Sequence, residues 1–430
     1  MTDVTLDLPA GRDTTPAVPL RNIAAVAAGN ALEFYAFLTY SFFAVQIGHA
    51  FFPGKNEDLK VLLATIVFGM GFVTRPIGAF VIGRLGDRVG RKPAMVLSFG
   101  LMGAAILGVA LTPPFSVIGW AAPVLFLSLR LVQGFALGGE VGPATAYLIE
   151  VAPPMKRGLY TSIQFATQDL AVLVAGIVGF VLAHTLSPSV YDAWGWRIAF
   201  LLATTVIPFA LLIRRRLPES LEAGKKADAA ETHAPVWQLA ILGFVMLASV
   251  TITNYVLDYM TTFAENTLHL AADVALSATI VVGLGGVTFD LITGILSDRV
   301  GRKPIMLASG IVYLLAVFPV FYAIVHVKSV AVLLVGTGLL SCLQALYATP
   351  IIISITEGLP ARIRAGALSL IYAFGISVFG GATQPITKAL IDLTHNPLAP
   401  AAFMATGLFC AIIAMFFVRE TAPVKTGPRP

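Results

Sequence analysis

An all-α membrane protein, with twelve spanning helices in two pseudo-symmetric six-helix bundles, is the fold class that three features of the chain predict. The first is composition: of 430 residues, 57% are hydrophobic and only 12% charged, about half the charge of an average soluble domain. The mean hydropathy of +0.86 leaves too little polar surface for an ordinary wetted exterior. The second is a set of apolar stretches near the length of roughly 20 residues that a helix needs to cross a bilayer. The third is a charged hinge written twice, as Gly83-x-x-x-Asp87-Arg88-x-Gly90-Arg91-Lys92-Pro93 and as Gly294-x-x-x-Asp298-Arg299-x-Gly301-Arg302-Lys303-Pro304. Every shared residue is displaced by the same interval, so the chain reads as two homologous halves.

Residues 1–20 form a polar tail that lacks the basic start and apolar core of a signal peptide, so insertion is expected to begin with the first span. Apolar stretches at 22–50, 61–82, 94–112, 118–149, 160–185 and 197–213 make up a predicted N-terminal bundle over 21–213. Residues 214–235 open with Arg214, Arg215 and Arg216, contain Pro218, and read as a linker between two rigid bodies. Stretches at 236–263, 273–296, 304–325, 329–356, 366–390 and 399–418 give the C-terminal bundle over 236–418, followed by a tail over 419–430. A second pattern repeats between the halves: Glu150-x-x-Pro153-x-x-x-Arg157 ends span 4 and Glu357-x-x-Pro360-x-x-x-Arg364 ends span 10.

Most of the 28 basic residues cluster in the tails, the two hinges and the linker, whereas only Lys55, Lys60, Arg197 and Lys328 fall in the opposite loops. Basic loops stay cytoplasmic, so both termini are expected on that side. The positive charge then follows from topology, and a nucleic-acid role is set aside. Cys342 and Cys410 lie inside apolar segments and offer neither a disulfide framework nor a metal cluster. The six His are scattered without paired spacing and no nucleophile sits beside a base, so an enzyme is not expected. Neither tail has the length of an appended signalling domain.

Charges inside the spans carry the functional argument. A central Arg, Lys or Asp costs about 2.5 to 3.5 kcal/mol to insert, so such groups face a wet cavity or a partner. Arg75, Arg130 and Lys388 supply cations, while Glu33, Glu140, Asp169, Asp258 and Asp290 supply carboxylates. Arg130 is the leading candidate for holding a substrate carboxylate, because a guanidinium forks onto it with two parallel hydrogen bonds. Glu140 is nearly three turns away, which rules out an intrahelical pair. Gln384 and Lys388 share a helical face and could grip a second carboxylate together; the alternative is that Lys388 snorkels to the surface. Arg75 precedes Pro76 and either binds substrate or supports a bend. Asn254, Asp258, Thr261 and Thr262 follow helical spacing in span 7, with Tyr255 beside them, as either a substrate face or interhelical glue. No partner for Asp169 or Asp290 can be named from the sequence.

The doubled hinge resembles the signature of the major facilitator superfamily. Gly29-Asn30-x-x-Glu33-Phe34-Tyr35, Arg75-Pro76-x-Gly78, Arg130-x-x-Gln133-Gly134, Gly138-Gly139-Glu140 and Phe379-Gly380-Gly381-x-Thr383 are similar to its metabolite:proton symporter branch. The resemblance implies a monomeric carrier of a bacterial cytoplasmic (inner) membrane, working by alternating access, with H+ as coupling ion and no other cofactor. It implies a small organic acid as substrate, citrate or tricarballylate first; a proton-coupled efflux carrier, or a carrier of an aromatic acid, 2-oxoglutarate or betaine, stands as the alternative. By similarity Asp87, Arg91, Asp298 and Arg302 latch the cytoplasmic side, with Arg88, Arg299, Glu150, Arg157, Glu357 and Arg364 as further gating residues. Asn30, Tyr35 and Thr383 join the expected substrate site, and Glu33, Asp258 and Glu140 the expected proton-coupling groups. One departure stands out: the branch usually carries Asp after the aromatic pair of span 1, where this chain has Ala36.

Overall fold

The computed structural model describes residues 30–31, 34–88, 91–138, 148–149, 152–204, 236–359 and 364–427. Glu33, Glu140 and Glu150 lie outside the described residues, as do the side chains of Asp87, Arg88, Arg91 and Arg364. No strand occurs among the described residues, and the described part of each of the twelve expected spans contains helix.

Span 1 is helix α1 (34–51), which carries a turn at Phe43. Helix α2 (Glu57–Val73) starts at Asn56, whose side chain accepts from the Leu59 N–H at 3.1 Å, with Glu57 and Asp58 in the first turn. An Asx cap and acidic first turn satisfy orphan N–H groups and suit the helix dipole. The helix breaks at Thr74, and α3 (Arg75–Arg88) resumes with Pro76 at its second position, where proline's missing N–H costs nothing. Spans 3 to 6 are α4 (Arg91–Leu111), α5 (Ala121–Leu137), α6 (Arg157–Thr185) and α7 (196–204). The second half follows as α8 (Val236–Thr262), α9 (Ala272–Val300), α10 (Arg302–Val327) and α11 (Val330–Gly358). Span 11 is split into α12 (Arg364–Gly375) and α13 (Gly381–Thr394) by a π-helical turn over Ile376–Gly380, and α14 (Ala399–Phe417) closes the set.

Among the described residues seven helices are individually long and apolar enough to cross a membrane. The other five fall short because the apolar helices of spans 3 and 4 are short (Val96–Leu111 and Ala121–Leu137), span 11 is interrupted by its π turn, and spans 1 and 6 are described only in part.

Among the described residues, glycine makes two of the helix crossings between the bundles possible. In the crossing of α6 with α9, a Cβ on Gly283 would strike the Leu173 backbone, and one on Gly294 would meet the Gly158 carbonyl at 2.8 Å. In the crossing of α2 with α13, a Cβ on Gly69 would strike the Gly381 carbonyl. Small residues let helix backbones approach where lipid supplies no hydrophobic drive to associate.

Candidate functional site

Between the bundles lies a cavity of about 50 Å³. Its walls come from α1 (Phe34, Leu38), α6 (Gln168, Asp169), α8 (Thr251, Asn254, Tyr255), α9 (Asp290), α11 (Gln344) and α12 (Tyr372). Ligand pockets usually hold about 300 Å³ or more, so this is a contracted site with room for a few waters. Its polar wall is made of amides, phenols and two carboxyl groups. Asp169 and Asp290, for which the sequence named no partner, lie within side-chain hydrogen-bonding reach of each other across the bundle interface. They could not be paired in the sequence because one sits in each half.

The two expected arginines stand one layer behind this wall, in a cage of aromatic rings. The Arg130 guanidinium lies 4.5 Å from the Phe37 ring centre and 4.4 Å from that of Tyr40, and Arg75 lies 4.3 Å from Phe37 and 4.1 Å from Phe72. Cation–π contact is one of the few ways to hold a cation in an apolar interior. Arg130 is fully buried, donates to the Gln133 Oε1 at 2.6 Å, and has no hydrogen-bond partner at Nε or Nη2. No carboxylate pairs with it among the described residues. Arg75 bonds the Tyr255 hydroxyl, and the Tyr255 ring packs on Phe72 at 5.3 Å, so the cage touches the cavity through that tyrosine.

The other expected substrate residues divide. Asn254 and Tyr255 line the cavity. Asn30 is instead engaged inside its own bundle: it exchanges hydrogen bonds with Gln164 and donates to Thr167 at 2.9 Å. Tyr35 donates to the Ala199 carbonyl at 3.2 Å, and Thr383 to the Phe379 carbonyl of its own helix. Ala36 is buried and presents an apolar methyl. In span 7, Asp258 is buried beside Asn254, whose amide donates to it at 3.4 Å. Thr261 and Thr262 turn to Thr279 of α9 and to the Ser41 carbonyl of α1, as interhelical glue.

The hinge side is shut by a compact ion network. Asp298 accepts from the Gly158 N–H at 2.8 Å and the Leu159 N–H at 3.0 Å, so a carboxylate of the second half caps the first turn of α6 in the first half. That is where the helix dipole favours negative charge. Arg302 holds Asp298 at 2.8 Å and Glu357 at 3.1 Å, and is itself fully buried. Asp298, Arg302 and Glu357 are thus brought together at the hinge. Arg299 is exposed, and Arg157 is half-buried with no partner at Nε. Glu420 was missed: it accepts from the Arg302 and Lys303 N–H groups at 2.9 and 3.1 Å. As the acid at the end of an apolar run, it could have been found as a cap for α10.

The opposite side is shut as well. Lys388 is buried and pairs with Asp58 at 2.5 Å and Asp392 at 2.7 Å, while Gln384 donates to the Ser41 hydroxyl at 2.5 Å. Gln46 donates to Glu265 at 2.7 Å. Gln384 and Lys388, expected as a clamp, do not line this cavity, and protein groups hold both side chains. Lys388 does not snorkel either, because Asp58 of the other bundle reaches it. Among the described residues both ends are thus bridged around a small cavity, an occluded arrangement.

Comparison with known proteins gives the same architecture a lineage. A family profile described as "Sugar (and other) transporter" matches residues 22–238, and one described as "Major Facilitator Superfamily" matches residues 239–430. A citrate-proton symporter of Klebsiella pneumoniae is 34% identical over 93% of this chain and 91% of its own length. The chain belongs to the major facilitator superfamily. An alpha-ketoglutarate permease of Escherichia coli is 33% identical over 86% of each chain. Among solved structures, the partially occluded, inward-open xylose transporter XylE of E. coli superposes with a TM-score of 0.78 over 94% of this chain at 18% identity, which speaks to fold alone. As a major facilitator protein the chain is a membrane transporter rather than an enzyme, with twelve helices in two six-helix bundles, as the doubled hinge had indicated.

Proposed function

We propose that this protein imports a di- or tricarboxylate, with citrate foremost, together with protons across a bacterial cytoplasmic membrane. Two rigid units, 21–213 and 236–418, would rock about the cavity as a monomer, with the hinge side and both termini cytoplasmic. The similarity to citrate-proton symporters supports the substrate class. The single observation that carries the reading is Arg130: a fully buried guanidinium with two unused N–H positions and no carboxylate partner among the described residues.

A buried cation left unpaired is costly in a protein built only to be stable, and it suits a site whose anion comes and goes. Parting of the bundles would bring a substrate carboxylate to Arg130 and Arg75 past Tyr255, with Asn254 as a further donor. Because Ala36 carries no charge, the coupled proton is assigned to another membrane carboxylate. Asp58, Glu57 and the hinge acids lie too close to the closed ends to fill that role.

Competition in proteoliposomes tests the substrate class. With an inwardly directed proton gradient and labelled citrate, unlabelled tricarballylate should suppress uptake strongly and betaine should not. Suppression by betaine with none by tricarballylate would contradict the reading and move the protein toward carriers of zwitterions.

A further inference from the structure

We propose that Asp169 and Asp290 together form the site of the coupled proton, holding one proton between them across the interface of the two bundles. This rests on the proton-symport reading above and gives it a location. The pair is built in rather than incidental. Asp290 is 2% exposed and accepts from the Thr349 hydroxyl at 2.6 Å through Oδ1, while its Oδ2 has no hydrogen-bond donor. Gly286, one turn before Asp290 on α9, leaves a notch for the partner: a Cβ there would strike the Asp169 carboxyl group. Asp169 therefore enters from α6 over a glycine and meets Asp290 in the cavity wall.

An independent feature of the same wall points to a mobile occupant. Gln344, 6% exposed, donates its amide to the Val250 carbonyl at 3.1 Å and leaves its Oε1 without a partner in the lining. A water in the cavity would supply the donor that this oxygen lacks.

The surrounding charges favour sharing. Asp258 from α8 faces Asp169, and Arg75 reaches the same wall through the Tyr255 hydroxyl that it bonds. The remaining neighbours are Tyr255 on α8, Thr349 and Gln344 on α11 and Tyr372 on α12, with Phe34 and Leu38 from α1. Two carboxylates in contact cannot both stay ionised in such a setting, and one proton between them removes the repulsion. With the proton bound, the pair carries one negative charge and ties α6 to α9. When the O–H bond breaks and the proton passes to water, two negative charges face each other across the crossing and push the bundles apart. The bond that links the halves is then made and broken by the coupling ion.

The test compares two activities of full-length protein in proteoliposomes: accumulation of labelled citrate driven by a proton gradient, and exchange of labelled for unlabelled citrate without one. Asp169→Asn and Asp290→Asn should each lower accumulation relative to exchange by about tenfold or more, the scale of a lost coupling between sites. Equal loss of both activities, or no loss of either, would overturn the assignment. The unaltered protein reports separately on the symport reading, since exchange without gradient-driven accumulation would remove that reading while leaving the pair open to a direct probe. That probe is infrared spectroscopy of the purified protein at neutral pH. A protonated-carboxyl C=O band should vanish in each Asn variant, and a band unchanged in both would sink the shared proton whatever the substrate is.

Discussion

Arg130→Ala is expected to reduce citrate uptake by about a hundredfold or more while the protein still assembles in the membrane. The estimate comes from the bonds a substrate carboxylate would make. Each hydrogen bond to a charged group contributes about 1.5 to 3 kcal/mol, and a fork supplies two. Because alanine also empties a packed aromatic cage, Arg130→Lys is the sharper variant. Lysine keeps the positive charge near Phe37 and Tyr40 but loses the planar pair of donors, so uptake should stay at least tenfold depressed, about 1.4 kcal/mol. Initial rates over a range of citrate concentrations check this, with the amount of folded carrier measured in parallel. Full uptake by Arg130→Lys would mean that the guanidinium serves only its aromatic neighbours.

Asp298→Ala is expected to release the hinge side. The carboxylate links the halves through the Gly158 and Leu159 N–H groups, and its removal leaves Arg302 still paired with Glu357 at 3.1 Å. Losing two charge-assisted bonds at a helix N-terminus should cost the closed state about 3 kcal/mol, on the scale of the charged hydrogen bonds given above. That corresponds to a shift of roughly a hundredfold in the balance between closed and open hinge sides. Spin labels at the hinge-side ends of α6 and α9 should report a longer distance distribution in the variant. An unchanged distribution would show that the α6 and α9 crossing, with its glycine contacts, suffices to keep that side shut.

The hinge motif was legible from the sequence because both repeats carry it in strong, local signatures. That Arg302 meets both Asp298 and Glu357 is seen only in the folded chain. The twelve spans were legible for a similar reason, since bilayer thickness imposes a length that composition reveals. What could not be read were contacts between halves. Nothing in the run around Lys388 announces Asp58, which is distant in the chain and lies on another helix. Asp169 and Asp290 likewise appeared as isolated carboxylates. The notch at Gly286 shows why: a glycine in an apolar helix looks like packing until the side chain that fills it is known. Arg130 illustrates the intermediate case. A charge in a span singles it out in the sequence, but its aromatic cage depended on which faces of α1, α2 and α5 came together.

The central claim is that this carrier couples an organic acid to protons. It is tested most directly by following labelled citrate into proteoliposomes whose exterior is more acidic than the lumen. The account predicts accumulation above the external concentration, lost when a protonophore collapses the gradient. Accumulation that survives the protonophore, or citrate that only equilibrates across the membrane while the gradient holds, would contradict it.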